Sequence, residues 1–398
     1  MKLKVAQICK AFPPPFGGIE TVIASMLQGF AGHPDIAIEV IVPRPTFGLS
    51  SVHRESSGFP VTEIPSLGTF ARTPIAPTLL LQLKKANADV HHFHFPYPWG
   101  EVLQAVAGGS RPYLVTYHCD IVRFKLLNMV FHPFMMRFLR RASAIVVSSE
   151  KLLSCSPVLG ALPADKCHVI PFGLDLDSFR SSEALSARAA QLRARLAGDS
   201  PMVLFVGRFV SYKGIPTLLR AMRDVTAVCV LVGTGELEAA LREEAQRLDV
   251  EDRIRWAGAV SAEDLPIYYH AADLFVLPSD TTAEAFGLVQ LEAHACGLPV
   301  VCCDVPTGVT DLNRHEETGL VVPMRDSKAM AAAINRLLAD PLLRKRLGDQ
   351  AKERAFRDFS MKNMTRNYAD LYRTVAKGAE AKGSVGSSEV ESGRNRQH

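Results

Sequence analysis

Two glutamates, Glu284 and Glu292, stand eight residues apart in PSDTTAEAFGLVQLEAHACGLPVV, the segment from Pro278 to Val301. The segment reads as a strand end, a loop, a helix and the next strand. If the stretch is mostly helical, a rise of about 1.5 Å per residue places the two carboxylates roughly 12 Å apart. Gly287 lets a ligand approach the backbone, and the helix is expected to open with free N–H groups at Phe286, Gly287 and Leu288, a ready site for an anion. One carboxylate would accept hydrogen bonds from sugar hydroxyls and the other from a ribose, with a diphosphate between them, so the span suits a sugar nucleotide. Alone, the two glutamates read better as a solvated helix face; the neighbouring motifs overturn that.

Those motifs fall where strands end. VLFVGRFVSYKG closes a strand with Gly207 and Arg208 and sets Lys213 before a new helix, a solvated Arg and Lys pair being the alternative. LVGTGELEAAL carries Gly233 and Gly235 but lacks the third glycine of a dinucleotide fingerprint, which argues against an NAD enzyme. FPPPFGGIETV puts Gly17 and Gly18 ahead of a helix, where amides can approach a phosphate or where a flexible turn would serve. VTYHCDIVRFK ends with His118 and Asp120 at the edge where a parallel sheet presents its ligands. The adjacent Arg123 and Lys125 favour a cleft around His118 over a core. HHFHFPYP supplies His91, His92 and His94. Alternate residues of a buried strand share a face, and no acidic partner is close in sequence, so packing or an acceptor-side role is expected there and a metal site is not.

Two sheets must position these residues. Short β-branched runs near Val5, Val40, Val90, Val115, Ile145 and Val169, and again near Val203, Val230, Ile254, Phe275, Val300 and Val321, alternate with helical patterns. Each set makes a doubly wound α/β domain, and 398 residues exceed what one core usually supports. The polar, strandless stretch 174–201 marks the join. The expected organisation is an N-terminal acceptor-binding domain over 1–180, a sugar-nucleotide-binding domain over 181–359, a helix near 360–376 packing back on the first, and a disordered tail over 377–398, where Gly, Ser and charge leave little to bury. Ligands of such sheets bind outside the carboxyl ends of the strands, so two facing domains would enclose one deep cleft.

Composition narrows the class. Hydrophobic residues at 47% and charged residues at 22% are ordinary for a globular protein, and a net charge of +4 is too small to argue for nucleic acid. Between Arg111 and Arg141, however, six basic residues face a single acid, Asp120. The N-terminal residues read as a strand and lack the features of a secretory signal, and no apolar run approaches the roughly 18 residues of a spanning helix. A cytoplasmic protein with at most peripheral membrane contact is expected. The eight cysteines show no paired C-x-x-C spacing for zinc.

Glu284, Glu292, Gly297, Pro299, Val300 and Val301 together resemble the signature of the retaining glycosyltransferases of family 4, E-x7-E followed by a Gly-Pro-Val-Val strand. The resemblance runs to about Thr374 and implies the GT-B fold, two Rossmann-like domains facing across a cleft. It implies that Arg208 and Lys213 hold the donor diphosphate, that Gly207, Gly233 and Gly235 lie beside the nucleotide, and that Ala257 lies near the base. By the same resemblance Gly17 and Gly18 face the donor phosphates, His118 contacts the donor hexose, and Asp120 lies close to the acceptor. The catalytic set so implied is His118, Asp120, Arg208, Lys213 and Glu284. No divalent metal or other cofactor is implied, since cations and helix amides take the metal's place. The chain departs from the family at Phe172-Gly173, where many relatives have Asn-Gly, and at Asp311, where Glu is usual.

YHCDIVRFK, PFGLD and EAFGLVQLEA look most like bacterial mannosyl- or rhamnosyltransferases that build O-antigen or other surface polysaccharide. A GDP-sugar, GDP-mannose first, is the expected donor, with a UDP-hexose or UDP-N-acetylhexosamine as the alternative and a catalytically silent sugar-nucleotide-binding scaffold as the reading from another class. FKLLNMVFHPFMMRFLRRA, from Phe124, combines large apolar residues with Lys125, Arg137, Arg140 and Arg141. It reads either as a core helix with a basic end or as a helix lying on the anionic face of the inner membrane, which would bring a lipid-linked saccharide acceptor to the protein.

Overall fold

A computed structural model of the chain describes residues 2–12, 17–44, 46–56, 58–71, 73–121 and 125–394, and the side chains of all of these except 125–128 and 379–394. Arg123, Phe124 and the side chain of Lys125, which entered the expectations above, lie outside the described residues, as do Pro13 to Phe16 of the glycine turn. The chain divides into two compact units. The first takes in Met1–Ser148, Ser156–Gly173 and Met361–His398; the second takes in Ser149–Cys155 and Leu174–Ser360.

The first unit carries ten strands: β1 (Leu3–Ile8), β2 (Ile36–Pro43), β3 (Val52–Ser56), β4 (Phe59–Ile64), β5 (Thr69–Phe70), β6 (Thr73–Pro74), β7 (Val90–Phe95), β8 (Tyr113–Tyr117), β9 (Ala144–Val147) and β10 (Cys167–Val169). Eight of them form one sheet in the order β10-β9-β8-β7-β1-β2-β4-β3, and β5 and β6 make a separate two-stranded ribbon. All pairs in the large sheet are parallel except β3 with β4. The β3–β4 hairpin has no counterpart in the expected strands, because VHRES is polar and mostly exposed and shows no hydrophobic run. Helix Gly18–Phe30 buries Val22, Ile23, Met26, Leu27 and Phe30. Of these, Ile23, Met26, Leu27 and Phe30 pack into a core with Val5, Val40 and, from helix Met361–Arg394, Met364, Tyr368 and Tyr372.

That last helix runs without a break to Arg394, where composition predicted a disordered tail from residue 377. No proline interrupts the stretch, and adding residues to a helix whose first turns are already docked avoids the unfavourable nucleation step.

The second unit holds β11 (Met202–Val206), β12 (Val228–Val232), β13 (Ile254–Gly258), β14 (Leu274–Leu277), β15 (Val300–Cys303) and β16 (Gly319–Val322), all parallel in the order β13-β12-β11-β14-β15-β16. Near-continuous burial of MVLFV, VCVLV and LFVL is what a parallel sheet covered on both faces requires. In each sheet the winding reverses once, between β1 and β7 and between β11 and β14.

Candidate active site

In the second unit the charged residues lie in the loops leaving β11 and β14, at the strand pair where the winding reverses and where doubly wound sheets take their ligands. Lys213 closes the short turn Ser211–Lys213, and Gly214 follows at φ 66°. A Cβ on Gly214 would lie 1.9 Å from the Pro278 carbonyl oxygen, so only glycine lets the β11 loop pass this close to the β14 loop. The Asp280 N–H donates to the Tyr212 carbonyl at 3.1 Å and ties the same two loops together.

Lys213 Nζ donates to Glu284 Oε2 at 2.6 Å, with each side chain about 10% exposed. The Ser279 hydroxyl donates to the same oxygen at 2.8 Å. Oε1 is left with no partner among the described residues. The Glu284 backbone is held at both ends, its N–H donating to the Thr281 carbonyl and its carbonyl accepting from Thr307 Oγ1. The carboxylate is therefore aimed by its surroundings before any ligand arrives.

Helix Val289–Ala295 begins after the three expected amide positions. Gly287 sits at φ 74°, a left-handed conformation that cannot open an α-helix, so Phe286, Gly287 and Leu288 form the turn ahead of it. The N–H groups of Gly287 and Leu288 donate to no acceptor among the described residues. Because only part of the stretch is helical, the 12 Å estimate for the glutamate separation, which presumed a helix throughout, does not apply.

Glu292, partly buried on that helix, accepts from the Tyr269 hydroxyl at 2.7 Å. Burial pushes its carboxyl up to about 7, and the Tyr269 hydrogen bond and the Lys213 charge act against that rise. Lys213 thus acts on both carboxylates. Arg208 is exposed and makes no ion pair among the described residues, so a second cation stands at the end of β11.

Gly233 and Gly235 serve packing. Their Cβ atoms would lie 2.0 Å from the Gly207 carbonyl oxygen and 2.4 Å from that of Phe209, so both keep the turn after β12 against the turn after β11. Ala257 lines an open pocket of about 530 Å³ together with Arg188, Arg195, Ser261 and Asp264. Asp311 accepts from the Lys151 N–H at 2.9 Å, at the start of helix Glu150–Cys155.

In the first unit His118 follows the last residue of β8 and is 2% exposed. The flanking basic residues predicted a cleft around it; the ring is largely buried because a polar chain holds its Nε2 edge, while Nδ1 makes no hydrogen bond among the described residues. His118 Nε2 lies 3.0 Å from His94 Nδ1, and His94 Nε2 lies 2.9 Å from Gln7 Oε1. Gln7 Nε2 donates to the Tyr372 hydroxyl at 2.9 Å, which lies 2.7 Å from His92 Nδ1. His92 Nε2 lies 2.7 Å from Thr116 Oγ1, itself 2.8 Å from the Tyr368 hydroxyl. All seven residues are buried. Gln7, the two histidines and Thr116 come from the adjacent strands β1, β7 and β8, while the tyrosines come from helix Met361–Arg394.

Burial is the first cause that holds all three imidazoles neutral. It lowers His94 to about 3 and His92 and His118 well below their ordinary range, with His94 and Lys10 adding to the effect on His118. His91 points away from this chain and is lowered to about 4 by burial and by Arg111. The Phe172 ring packs tilted against His118, 5.2 Å between centroids, so the departure from Asn-Gly places a ring against the imidazole.

Asp120 Oδ1 accepts from the Tyr117 hydroxyl at 2.6 Å and from Ser156 Oγ at 2.7 Å. Gly17 caps helix Gly18–Phe30, its carbonyl accepting from the Thr21 N–H and hydroxyl. These residues belong to the first unit, and Lys213, Glu284 and Glu292 to the second.

Sequence reasoning missed Gln7, Thr116, Tyr368 and Tyr372 in the first unit and Ser279, Tyr269 and Thr307 in the second. Tyr368 and Tyr372, four apart on a helix, share a face and were in principle detectable. His94 and Tyr372, which bond the Gln7 amide, lie 87 and 365 residues away along the chain and leave no local pattern.

Two doubly wound α/β units, with the charged loops of the second gathered where its winding reverses, are the architecture of the GT-B fold. The family described as glycosyl transferases group 1 matches residues 189–354, and glycosyltransferase family 4 matches residues 16–178. The chain is 33% identical to the O-antigen chain mannosyltransferase C of Escherichia coli over 94% of its own length and 99% of that protein. It is 32% identical to the D-rhamnosyltransferase WbpZ of Pseudomonas aeruginosa over 85% of its length and 87% of the relative. Sucrose-phosphate synthase from Thermosynechococcus elongatus superposes with a TM-score of 0.77 at 26% identity, covering 95% of this chain and all of that one. The chain belongs to glycosyltransferase family 4.

Proposed function

We propose that this glycosyltransferase moves a mannosyl or related hexosyl group from a GDP-sugar to a hydroxyl of a lipid-linked saccharide, in the synthesis of O-antigen or another surface glycan, with retention at the anomeric carbon. The observation that carries the reading is the buried Lys213–Glu284 pair with Glu292 under the same cation, in a chain similar over nearly its full length to an O-antigen mannosyltransferase. Glu284 Oε1 is available to hexose hydroxyls and Glu292 to the ribose. Arg208, Lys213 and the amides of the Phe286 to Leu288 turn meet the diphosphate, and Gly17 and Gly18 are assigned to the same phosphates.

In the reaction the bond from the anomeric carbon to the β-phosphate oxygen breaks while a bond to the acceptor oxygen forms on the same face. The acceptor's proton passes to the departing phosphate. Fixed cations and amides stabilise the charge growing on that phosphate without having to reorganise, which is where most of the rate enhancement would come from. His118 is assigned to a hydroxyl of the donor sugar and Asp120 to the acceptor side. No metal is called for, since Arg208 and Lys213 supply the positive charge.

Helix Lys125–Arg141 supports a lipid-borne acceptor. Met129 (69% exposed), Val130 and Phe134 project apolar surface, and Arg137, Arg140 and Arg141 are exposed on the same helix. A helix of this kind lies in the headgroup region of an anionic bilayer at the cytoplasmic face. Incubation with GDP-mannose and a lipid-linked acceptor should add one hexose by mass, with the donor's anomeric configuration kept in the product's NMR spectrum. Transfer from UDP-sugars alone would overturn the donor, and an inverted product would overturn retention.

A further inference from the structure

The buried chain ending at His118 has a direction, and the direction sets the chemistry of the imidazole. The Gln7 amide is oriented by Met26, whose thioether sulfur, 3.8 Å from Nε2, accepts hydrogen bonds and does not donate them. Nε2 therefore faces Met26 and Tyr372, and Oε1 faces His94. An oxygen at 2.9 Å requires the proton of His94 on Nε2, which leaves Nδ1 of this neutral ring as an acceptor. His118 Nε2, 3.0 Å away, must then be the donor.

The remaining links agree. Tyr372, accepting from Gln7, gives its one proton to His92 Nδ1 at 2.7 Å in preference to the Met26 sulfur at 3.8 Å; His92 Nε2 donates to Thr116; and Thr116 donates to Tyr368. Every donor points away from His118. The imidazole's other nitrogen, Nδ1, has no partner among the described residues.

We infer that Gln7 and His94 are positioning residues that hold His118 as the Nε2–H tautomer, so that its Nδ1 presents a lone pair and accepts a hydrogen bond from a hydroxyl of the donor sugar. This rests on the assignment of His118 to the donor in the function proposed above. A ring so held recognises a hydroxyl and repels an oxyanion or a carbonyl, and it acts as a fixed acceptor that does not shuttle protons. The Nε2–H state is set from β1 and β7, and the far end of the chain is anchored on the carboxyl-terminal helix, remote in sequence from His118.

The test is a long-range proton–nitrogen correlation spectrum of the full chain labelled with 15N-histidine, with His118 identified by the signals lost in His118→Asn. The expected spectrum at neutral pH shows His118 with a protonated Nε2 and a lone-pair Nδ1. Gln7→Leu, close in volume but without the amide, should shift His118 toward a mixture of tautomers and raise the KM for GDP-mannose roughly three- to tenfold, the worth of one hydrogen bond, with kcat little changed. Gln7→Glu keeps an oxygen toward His94 and should restore the tautomer.

A proton on His118 Nδ1 in the wild type overturns the inference, and this result does not depend on any variant folding. An unchanged tautomer and KM in a folded Gln7→Leu overturns the role of Gln7. A tautomer that shifts while the donor KM stays constant leaves the lock standing and overturns the assignment of His118 to the donor sugar.

Discussion

The two units handle buried polar groups in opposite ways. In the second, Lys213 and Glu284 keep charge inside the protein, paired at 2.6 Å and supported by Ser279, while Glu292 is bonded to Tyr269 under the same cation. In the first, Gln7, His92, His94, Thr116, His118, Tyr368 and Tyr372 are all neutral and satisfied by one another. A site that must stabilise a leaving diphosphate needs fixed charge. On the function proposed here, the first unit has to orient a sugar hydroxyl, which needs one defined lone pair, and a network of neutral groups supplies it.

The largest expected effect that tests this contrast is Lys213→Ala. Removing the cation should lower kcat on the order of 100- to 1000-fold, as loss of one preorganised stabilising group does elsewhere. It should also destabilise the fold by about 3–5 kcal/mol, because Glu284 is left buried and unpaired. Steady-state kinetics and urea titration measure the two separately; a small effect on both would show that the pair is ornamental. Gly233→Ala comes next. A residue with a side chain at φ 130°, with its Cβ 2.0 Å from the Gly207 carbonyl oxygen, should lose roughly 1–3 kcal/mol, and more if the turn cannot shift. Tyr372→Phe should destabilise the first unit by about 1–3 kcal/mol, since Gln7 and His92 each lose a partner, while the kinetics respond far less than to Lys213→Ala.

The smallest effect is the most discriminating, because the two units should answer pH with opposite signs. Glu292, raised to about 7, keeps its proton longer in the folded state than in the unfolded one. Its contribution to stability is full below the ordinary carboxylate range and is lost as pH rises toward about 7. The buried histidines are lowered, to about 3 for His94, so their contribution is present above the ordinary imidazole range and is lost as pH falls below it. Thermal midpoints of Glu292→Gln should fall less than those of wild type between pH 4.5 and 7, which brackets the two Glu292 values. The same variant should remove the gain in donor affinity expected as wild-type Glu292 ionises near pH 7. Parallel curves for the two proteins would contradict the assignment.

The contrast also explains what could be read from the chain alone. All twelve expected strand positions fall in the observed sheets, because buried parallel strands write continuous β-branched runs into the sequence. Glu284, Gly287 and Glu292 were legible because strand, turn and helix follow one another within a single short segment. Lys213 and Glu284, 71 residues apart, could be joined only through the resemblance to a family. The neutral network was not legible: Gln7 to Tyr372 spans nearly the whole chain, and glutamine, histidine and tyrosine at those positions carry no spacing that separates a hydrogen-bonded core from a surface. His118 was found as a residue of interest, but nothing in the sequence around it pointed to the buried hydrogen-bond chain that holds its Nε2 edge.

The measurement closest to the central claim is a thermal-shift panel of GDP-mannose, UDP-glucose, UDP-N-acetylglucosamine and NAD on the wild type beside Glu292→Ala, since a ligand that binds only the folded state must raise the midpoint. A rise with GDP-mannose that disappears in the variant is the result predicted here. A rise with NAD alone, or a GDP-mannose shift of the same size in the variant, would contradict the placement of a sugar-nucleotide donor on Lys213, Glu284 and Glu292.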